Sequence, residues 1–258
     1  MRKILIILGL SYFFVATLQA DKYSFRKYNH VKKFYSEITL EVIEVSKKYK
    51  LPAAAVLAVA GLESGYGSGY VSQITGNILS LGAFKSDREL PPLYLPYSKS
   101  KKKILFDPKE IKKHFKDDLS YKKREKSLKR DYRPDPYAGT SKKLELLKYD
   151  KVLKEKAYKA CLNDFATRWI SSSSNIKAFR NARNYLDSIV QKDGLKILFS
   201  KNANKNFINK IGGIPHSFNY RETWPKKVNL IMNRTGLIKL VDDIDSKNMS
   251  FDEAWATI

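Results

Sequence analysis

One acidic residue stands out by its position, because it ends a stretch that is otherwise apolar. Glu63 follows Ala58-Val59-Ala60-Gly61-Leu62, and Val56 and Val59 lie seven and four positions before it. If this stretch is a helix, the Glu63 carboxyl shares the apolar face of these two valines. Desolvation by that face and the negative end of the helix dipole would both raise the pKa of Glu63. A glutamic acid that stays protonated near neutral pH can protonate a leaving oxygen, as a glycosidase acid must.

The residues after Glu63 are rich in glycine. Gly65, Gly67 and Gly69 occupy alternate positions. Glycines permit tight turns that other residues resist, and here they would let a sugar chain come close to the backbone. The alternative is that Glu63 is a surface residue at a helix end and has no chemical role. Spacing alone leaves both interpretations open.

Two helices are predicted to position this glutamate. From 34 to 49, apolar residues recur every three or four positions, which is typical of an amphipathic helix. Leu51-Pro52 interrupts that helix and starts another, because proline is well placed in a first turn. The second helix runs from Ala53 to about Glu63. It is rich in alanine and valine on every side, so we expect it to be buried.

Residues 85–150 differ in character from the rest of the chain. They are rich in lysine, are punctuated by prolines and show few long apolar periods. We expect an irregular basic insertion with short helices near 108–119 and 142–159. Its charge is either an ordinary solvated surface or a patch that binds an anionic partner.

Two more helices are predicted in the C-terminal part. Ser174 or Asn175 would cap the first, and the second would begin near Tyr220 and end at Gly236. Residues 246–258 form a C-terminal tail in this interpretation. Three acidic residues lack the glycine and the terminal glutamate of a calcium loop and are expected to be solvated: Asp242, Asp243 and Asp245.

The N-terminus has the features of an export signal. Arg2 and Lys3 precede a short apolar stretch, and Leu18-Gln19-Ala20 forms a small-residue cleavage site. A retained membrane anchor is the alternative, but the apolar stretch is shorter than the ~20 residues that span a bilayer. We therefore expect residues 1–20 to be removed, so that an exported chain begins at Asp21.

Thiol and metal chemistry find little support in the sequence. Cys161 is the only cysteine and is expected to be a buried small hydrophobic residue. His30, His114 and His216 are isolated and lack metal-ligand spacing. We expect neither a metal nor another cofactor.

The charge of the chain indicates a polyanionic partner. Lys and Arg number 49 against 26 acidic residues, which gives a formal net charge of +23. Nucleic acid would be the usual partner of such a chain. Export favours instead the anionic cell wall or a membrane surface, bound through the basic residues 85–150.

The run Leu62-Glu63-Ser64-Gly65-Tyr66-Gly67 and the later Gly76-Asn77-Ile78-Leu79-Ser80-Leu81-Gly82 resemble the catalytic core of glucosaminidase-type peptidoglycan hydrolases, which include flagellar and Bax-type proteins. The resemblance covers about half of the chain. It implies a lysozyme-like α+β fold, predominantly α, with a cleft between a helical lobe and a small β lobe. Residues 21–245 would be the catalytic domain, interrupted by the basic insertion.

The resemblance also implies roles for individual residues. Glu63 would be the acid, Tyr220 the active-site tyrosine, and Asp87 or Glu89 a second carboxylate, unless the substrate's own acetamido group attacks. Residues near these positions would bind the glycan: Ser64, Tyr66, Tyr70, Asn77, Phe218 and Trp224.

Three functions are compatible with this sequence. An endo-acting N-acetylglucosaminidase on peptidoglycan strands is the leading hypothesis. A lytic transglycosylase also uses a single glutamate in a Glu-Ser context, but the Gly-Leu-Met-Gln segment typical of that group is absent. A basic wall-binding or assembly factor without catalytic activity is the third.

Overall fold

The computed structural model of the protein describes residues 23–84, 86–87, 94–105, 107–114, 117–123, 132–134 and 150–257. Of these residues, 63% are helical and 6% lie in strands, which confirms the α+β class with a predominance of helix. No described helix combines the length and the apolarity that a membrane span requires. The predicted export signal, residues 1–20, lies outside the described residues, and so does Glu89.

The described chain divides into two compact units. One comprises Met1–Ala58 with Asn184–Ile258, and the other Val59–Arg183. In chain order, the elements are α1 (Asn29–Tyr49), α2 (Ala53–Ser64), α3 (Tyr70–Thr75), β1 (Tyr94–Ser98), β2 (Lys103–Ile104), α4 (Pro108–Lys113), β3 (Leu119–Lys123), α5 (Lys151–Asp164), a π-helix (Phe165–Trp169), α6 (Lys177–Asp193), a 3-10 helix (Leu195–Phe199), α7 (Lys201–Ile211), α8 (Thr223–Thr235), α9 (Leu237–Lys247) and α10 (Phe251–Ala256).

Helices α1 and α2 confirm the predicted periodicity. Helix α1 buries one face and ends at Lys50, which adopts a left-handed φ of 55°. Pro52 then starts α2, because its carbonyl accepts from the N–H groups of Ala55 and Val56 at 3.1 Å each. Every residue from 53 to 60 is at most 2% exposed. An alanine-rich helix that is apolar on all sides is therefore buried, as expected.

The first unit is closed by a clasp between its N-terminal segment and its last helices. The Arg26 guanidinium donates to the carbonyls of Thr235 at 2.8 Å and Gly236 at 3.2 Å, at the end of α8. It also donates to three carbonyls at the end of α10: Ala254, Trp255 and Thr257, at 3.0, 2.7 and 2.8 Å. The Gly236 carbonyl also accepts from the Leu240 N–H at 3.0 Å, but the other four lie at helix ends that leave them without an intrahelical donor, so one side chain caps two helices.

Two predictions for this unit need correction. Asp243 is completely buried rather than solvated. Its carboxylate accepts from Lys239, from Lys247 at 2.6 Å and from Thr257 at 2.9 Å. Burial opposes ionisation, but these three hydrogen bonds outweigh it and lower the pKa of Asp243 to about 2. The C-terminal segment is also more than a tail, because α10 buries Trp255 and begins with a capping box at Ser250.

The described part of the basic insertion is more regular than the sequence suggests. It contains a three-stranded antiparallel sheet in the order β2-β1-β3, in which Tyr97 pairs with both Ile104 and Ser120. The short helix there begins at Pro108 as predicted, but it ends at Lys113 rather than 119. The predicted helix at 142–159 is confirmed from Lys151, where α5 begins with Asp150 as its cap, but α5 extends further, to Asp164; residues 142–149 lie outside the described residues.

Candidate active site

Glu63 is the penultimate residue of α2, in the second unit, and its side chain is half-buried. The residue after it fixes the end of the helix. Ser64 Oγ donates to the Ala60 carbonyl at 2.6 Å and accepts from the Gly67 N–H at 2.8 Å. Since Ser64 is only 1% exposed, its hydroxyl ties the last helical turn to the following loop. It therefore positions the Glu63 backbone and does not face a substrate.

The glycine run forms a tight turn in left-handed backbone geometry. Gly65, Tyr66 and Gly67 have φ values of 57°, 54° and 70°. The Tyr66 N–H donates to the Gly61 carbonyl at 2.9 Å, and the Gly69 N–H donates to the Ser64 carbonyl at 2.8 Å. A Cβ at Gly69 would lie 2.9 Å from that carbonyl. Tyr66 lacks the freedom of glycine, so this turn holds backbone strain of about 1–2 kcal/mol beside Glu63.

Two tyrosines lie close to this turn in the chain. Burial raises the pKa of Tyr66 to about 12 and raises that of Tyr70 as well, so both phenols are neutral at pH 7. Tyr70 packs with Tyr94 and Ile104 against a small apolar cluster of Ile74 and Leu95. The Tyr70 hydroxyl is buried and has no hydrogen-bond partner within the described residues. Because it is buried, this hydroxyl does not face solvent.

Asn77 closes the next turn with its own side chain. Its Nδ2 donates to the Leu81 carbonyl, and its Oδ1 accepts from the Leu81 N–H, each at 2.9 Å. The buried Cys161 thiol also donates to Oδ1 at 3.7 Å. Burial raises the pKa of Cys161 to about 12, so the thiol is protonated and is not a nucleophile. Like Ser64, Asn77 has a scaffolding role rather than the predicted contact with a glycan.

Gly76 offers a direct test of how tightly this turn is packed. Its φ is 71°, and a Cβ at this position would overlap the Cβ of Ala157 on α5. Gly76→Ala is expected to destabilise the fold by about 2–4 kcal/mol, through backbone strain and overpacking. Thermal unfolding followed by circular dichroism measures this loss. Gly82→Ala is the matched control, because a Cβ there meets nothing within 4 Å. Equal melting temperatures for the two variants would contradict the packing.

Asp87 does not serve as a free catalytic base. Its Oδ2 accepts from the Phe84 N–H at 2.8 Å, and its Oδ1 pairs with the Arg168 guanidinium. Arg168 also bonds Asp164 at 3.3 Å. The guanidinium lies 4.8 Å from the centroid of the Phe84 ring and 5.2 Å from that of the Trp169 ring. The carboxylate is therefore held in an ion pair backed by aromatic rings.

No prominent sequence pattern predicts this cluster. Arg168 and Trp169 lie in the π-helix, in which the Ile170 N–H donates to the Phe165 carbonyl at 2.9 Å. Such segments insert one extra residue into a helix and are frequent at functional sites. In the sequence, the cluster is visible only as Arg168 next to Trp169, with Asp164 four positions before Arg168.

The three remaining predicted site residues belong to the first unit. Trp224 is 3% exposed, and its ring fills the space that a Cβ at Gly212 would occupy. The Phe218 ring lies 5.4 Å from it. Both side chains are thus packing residues under a loop closed by two backbone hydrogen bonds, one of them from the Phe218 N–H to the Ile211 carbonyl at 2.7 Å. Tyr220 at the end of this loop is 69% exposed and remains accessible.

The structure thus groups Glu63, Ser64 and Tyr66 in one turn of the second unit, with Tyr70 and Asn77 in the same unit. Neither family models, nor curated proteins, nor solved structures gave a match to this chain. No group of three or more His, Cys, Asp or Glu side chains that could hold a metal ion occurs in the described part of the chain. The turn around Glu63 is therefore the candidate active site.

Proposed function

We propose that this protein is a glycoside hydrolase that cleaves the glycan strands of peptidoglycan, with Glu63 as general acid. The observation that carries the proposal is the location of Glu63. It is half-buried at the end of a fully buried apolar helix, directly before a strained glycine turn. A helix C-terminus favours a neutral carboxyl, which is the form that donates a proton.

The surroundings of Glu63 support a polymeric substrate. Gly65, Gly67 and Gly69 carry no side chains, so the backbone of the turn is uncovered at three alternate positions after the acid. Tyr66, in the turn after Glu63, is a partly exposed and neutral phenol, and we assign it a contact with the sugar. The predominance of helix with one small sheet is compatible with the lysozyme-like fold that the sequence resemblance implies.

Of the two carboxylates predicted from the sequence, Asp87 and Glu89, we propose Glu89 as the second catalytic group. Asp87 is held by Arg168, which leaves Glu89 as the carboxylate that would activate water. In a glycosidase that inverts configuration, this group stands roughly 6.5–9.5 Å from the acid carboxyl. Attack by the acetamido group of the substrate is the alternative and needs no second carboxylate. Tyr220, which is exposed, is proposed as a phenol that contacts the substrate.

Product analysis distinguishes the candidate functions. The exported form, beginning at Asp21, is incubated with purified peptidoglycan, and the soluble fragments are identified by mass spectrometry. We expect fragments that end in a free reducing N-acetylglucosamine. Anhydro-sugar ends would identify a lytic transglycosylase instead. Binding to the wall without any sugar release would show that the protein is an assembly or binding factor and not an enzyme.

A further inference from the structure

The small sheet and the helix beside it present an unusually dense set of lysines. On the turn between β1 and β2, the sequence reads Ser98-Lys99-Ser100-Lys101-Lys102-Lys103. Helix α4 follows soon after. The exposed lysines of these two elements define what we call the lysine face: Lys99, Lys101, Lys102, Lys103, Lys109, Lys112 and Lys113.

One acidic residue joins the two parts of the lysine face. Glu110 on α4 pairs with Lys101 at 2.9 Å and with Lys103 at 3.1 Å. These two hydrogen bonds lower the pKa of Glu110. The pairing places α4 against the β1–β2 turn, so the lysines on both elements belong to one surface. Glu110 carries one negative charge, so it offsets only one of the seven lysine charges.

A second carboxylate orders the backbone of the turn. Asp118 accepts from the backbone N–H of Ser100 at 2.7 Å, from Ser98 Oγ at 2.8 Å and from the His114 ring. These bonds, with that from Ser100 the strongest, hold the pKa of Asp118 well below its usual range. Because the carboxylate points into the turn, it orders the backbone that carries the lysines.

The geometry points to the lysine face as a docking surface for anionic peptidoglycan, whose carboxylates it would engage through several lysines at once. Charge complementarity carries the choice of partner. The turn contains only serine and lysine, so it offers no apolar side chain that could enter a bilayer and strengthen binding to a membrane surface. A hydrated polymer needs no such side chain. The choice of the wall as the polyanion rests on the proposed function, but the docking itself does not require catalysis.

The test is cosedimentation of the full exported chain with purified peptidoglycan over a series of salt concentrations. Glu63→Gln is present in every protein, so that digestion does not remove the wall. The variant changes four lysines that make no pair with Glu110, and so leaves the Glu110 bridge intact: Lys102→Gln, Lys109→Gln, Lys112→Gln and Lys113→Gln. The matched control removes four exposed lysines of the first unit: Lys192→Gln, Lys196→Gln, Lys201→Gln and Lys205→Gln.

We expect the lysine-face variant to bind peptidoglycan about tenfold more weakly at low salt, because four ion pairs that are each weak are lost together. Its affinity should also fall less steeply as the salt concentration rises. The control should stay within about twofold of the parent, because its net charge is the same and only the location differs. Equal loss in both variants would overturn the docking surface. So would weaker cosedimentation of the lysine-face variant with phosphatidylglycerol vesicles, measured in parallel, without any loss on peptidoglycan. Failure of sugar release by the protein with Glu63 intact would instead count against the proposed activity alone.

Discussion

Glu63→Gln is expected to reduce sugar release from peptidoglycan by about 10²- to 10⁴-fold, the range that a general acid contributes. Glutamine matches glutamic acid in size and shape, but its amide cannot donate a catalytic proton to the glycosidic oxygen. Because the side chain is only half-buried and its neighbour Ser64 holds the helix end, the fold should not change. The rate of release of soluble fragments is the measurement, with wall binding recorded in parallel.

Two further variants separate chemistry from structure in this test. Glu63→Asp keeps the acid but withdraws it by one methylene, so partial activity is expected. Glu155→Gln on α5 changes the same residue type at a site that is 58% exposed and bonded only loosely to Lys151 at 3.7 Å. Its activity should equal that of the parent. The assignment fails if Glu63→Gln releases sugar at the parent rate while its melting temperature is unchanged.

The long apolar patterns of the sequence predicted the helices well. Helices α1, α2 and α8 were expected from the spacing of apolar residues and occur close to the predicted bounds. In α8, Gly236 ends the helix with a φ of 67°, as its position suggested. Such elements are determined locally, by periodicity and by residues that stop a helix.

The sheet in the basic insertion was missed because its determinants are not local. Strands β1 and β3 are separated by about twenty residues, and neither has a clear alternation of apolar and polar side chains. What holds them together is a cross-strand register and the Asp118 network with Ser98 and Ser100. A strand gains its stability from a partner that the periodicity of a single segment does not reveal.

The candidate site shows a related limit. The Glu-Ser-Gly-Tyr-Gly run was recognised, but Ser64 was interpreted as a sugar-binding residue. The structure uses its hydroxyl to bond Ala60 and Gly67, and the amide of Asn77 to bond Leu81. Short polar side chains compete readily for nearby backbone groups. A motif therefore locates an important segment reliably. It is less reliable in distinguishing the reacting residue from the residues that hold the backbone in place.

The burial of Asp243 could not be predicted from its neighbours in the sequence. Asp242 and Asp245 flank it, and the three together have the composition of a solvated surface. Yet Asp243 lies on the inner face of α9, where Lys239 and Lys247 are one helical turn away on either side. Their ammonium groups can reach inward because their stems are long. The compensation of this charge depends on tertiary packing.

The largest loss of stability is expected from the removal of Arg26. Arg26→Ala should lower the free energy of unfolding by about 3 kcal/mol or more, because it leaves carbonyls at the ends of α8 and α10 without their donor. The guanidinium also stacks on Tyr23 and Trp255, at 4.8 and 5.2 Å from their ring centroids. For a chain of this size, such a loss corresponds to a fall in melting temperature of roughly 6–12 °C.

The several N–H donors of the planar guanidinium, rather than its charge, are the source of this stability. Arg26→Lys is therefore expected to recover less than half of the loss, because an ammonium is a point charge and cannot bond both helix ends in one plane. Lys27→Ala removes the neighbouring, exposed cation and should leave the melting temperature within about 2 °C of the parent. If Arg26→Lys melts like the parent, charge alone holds the clasp. If Arg26→Ala melts like Lys27→Ala, the N-terminal segment does not close the first unit in solution.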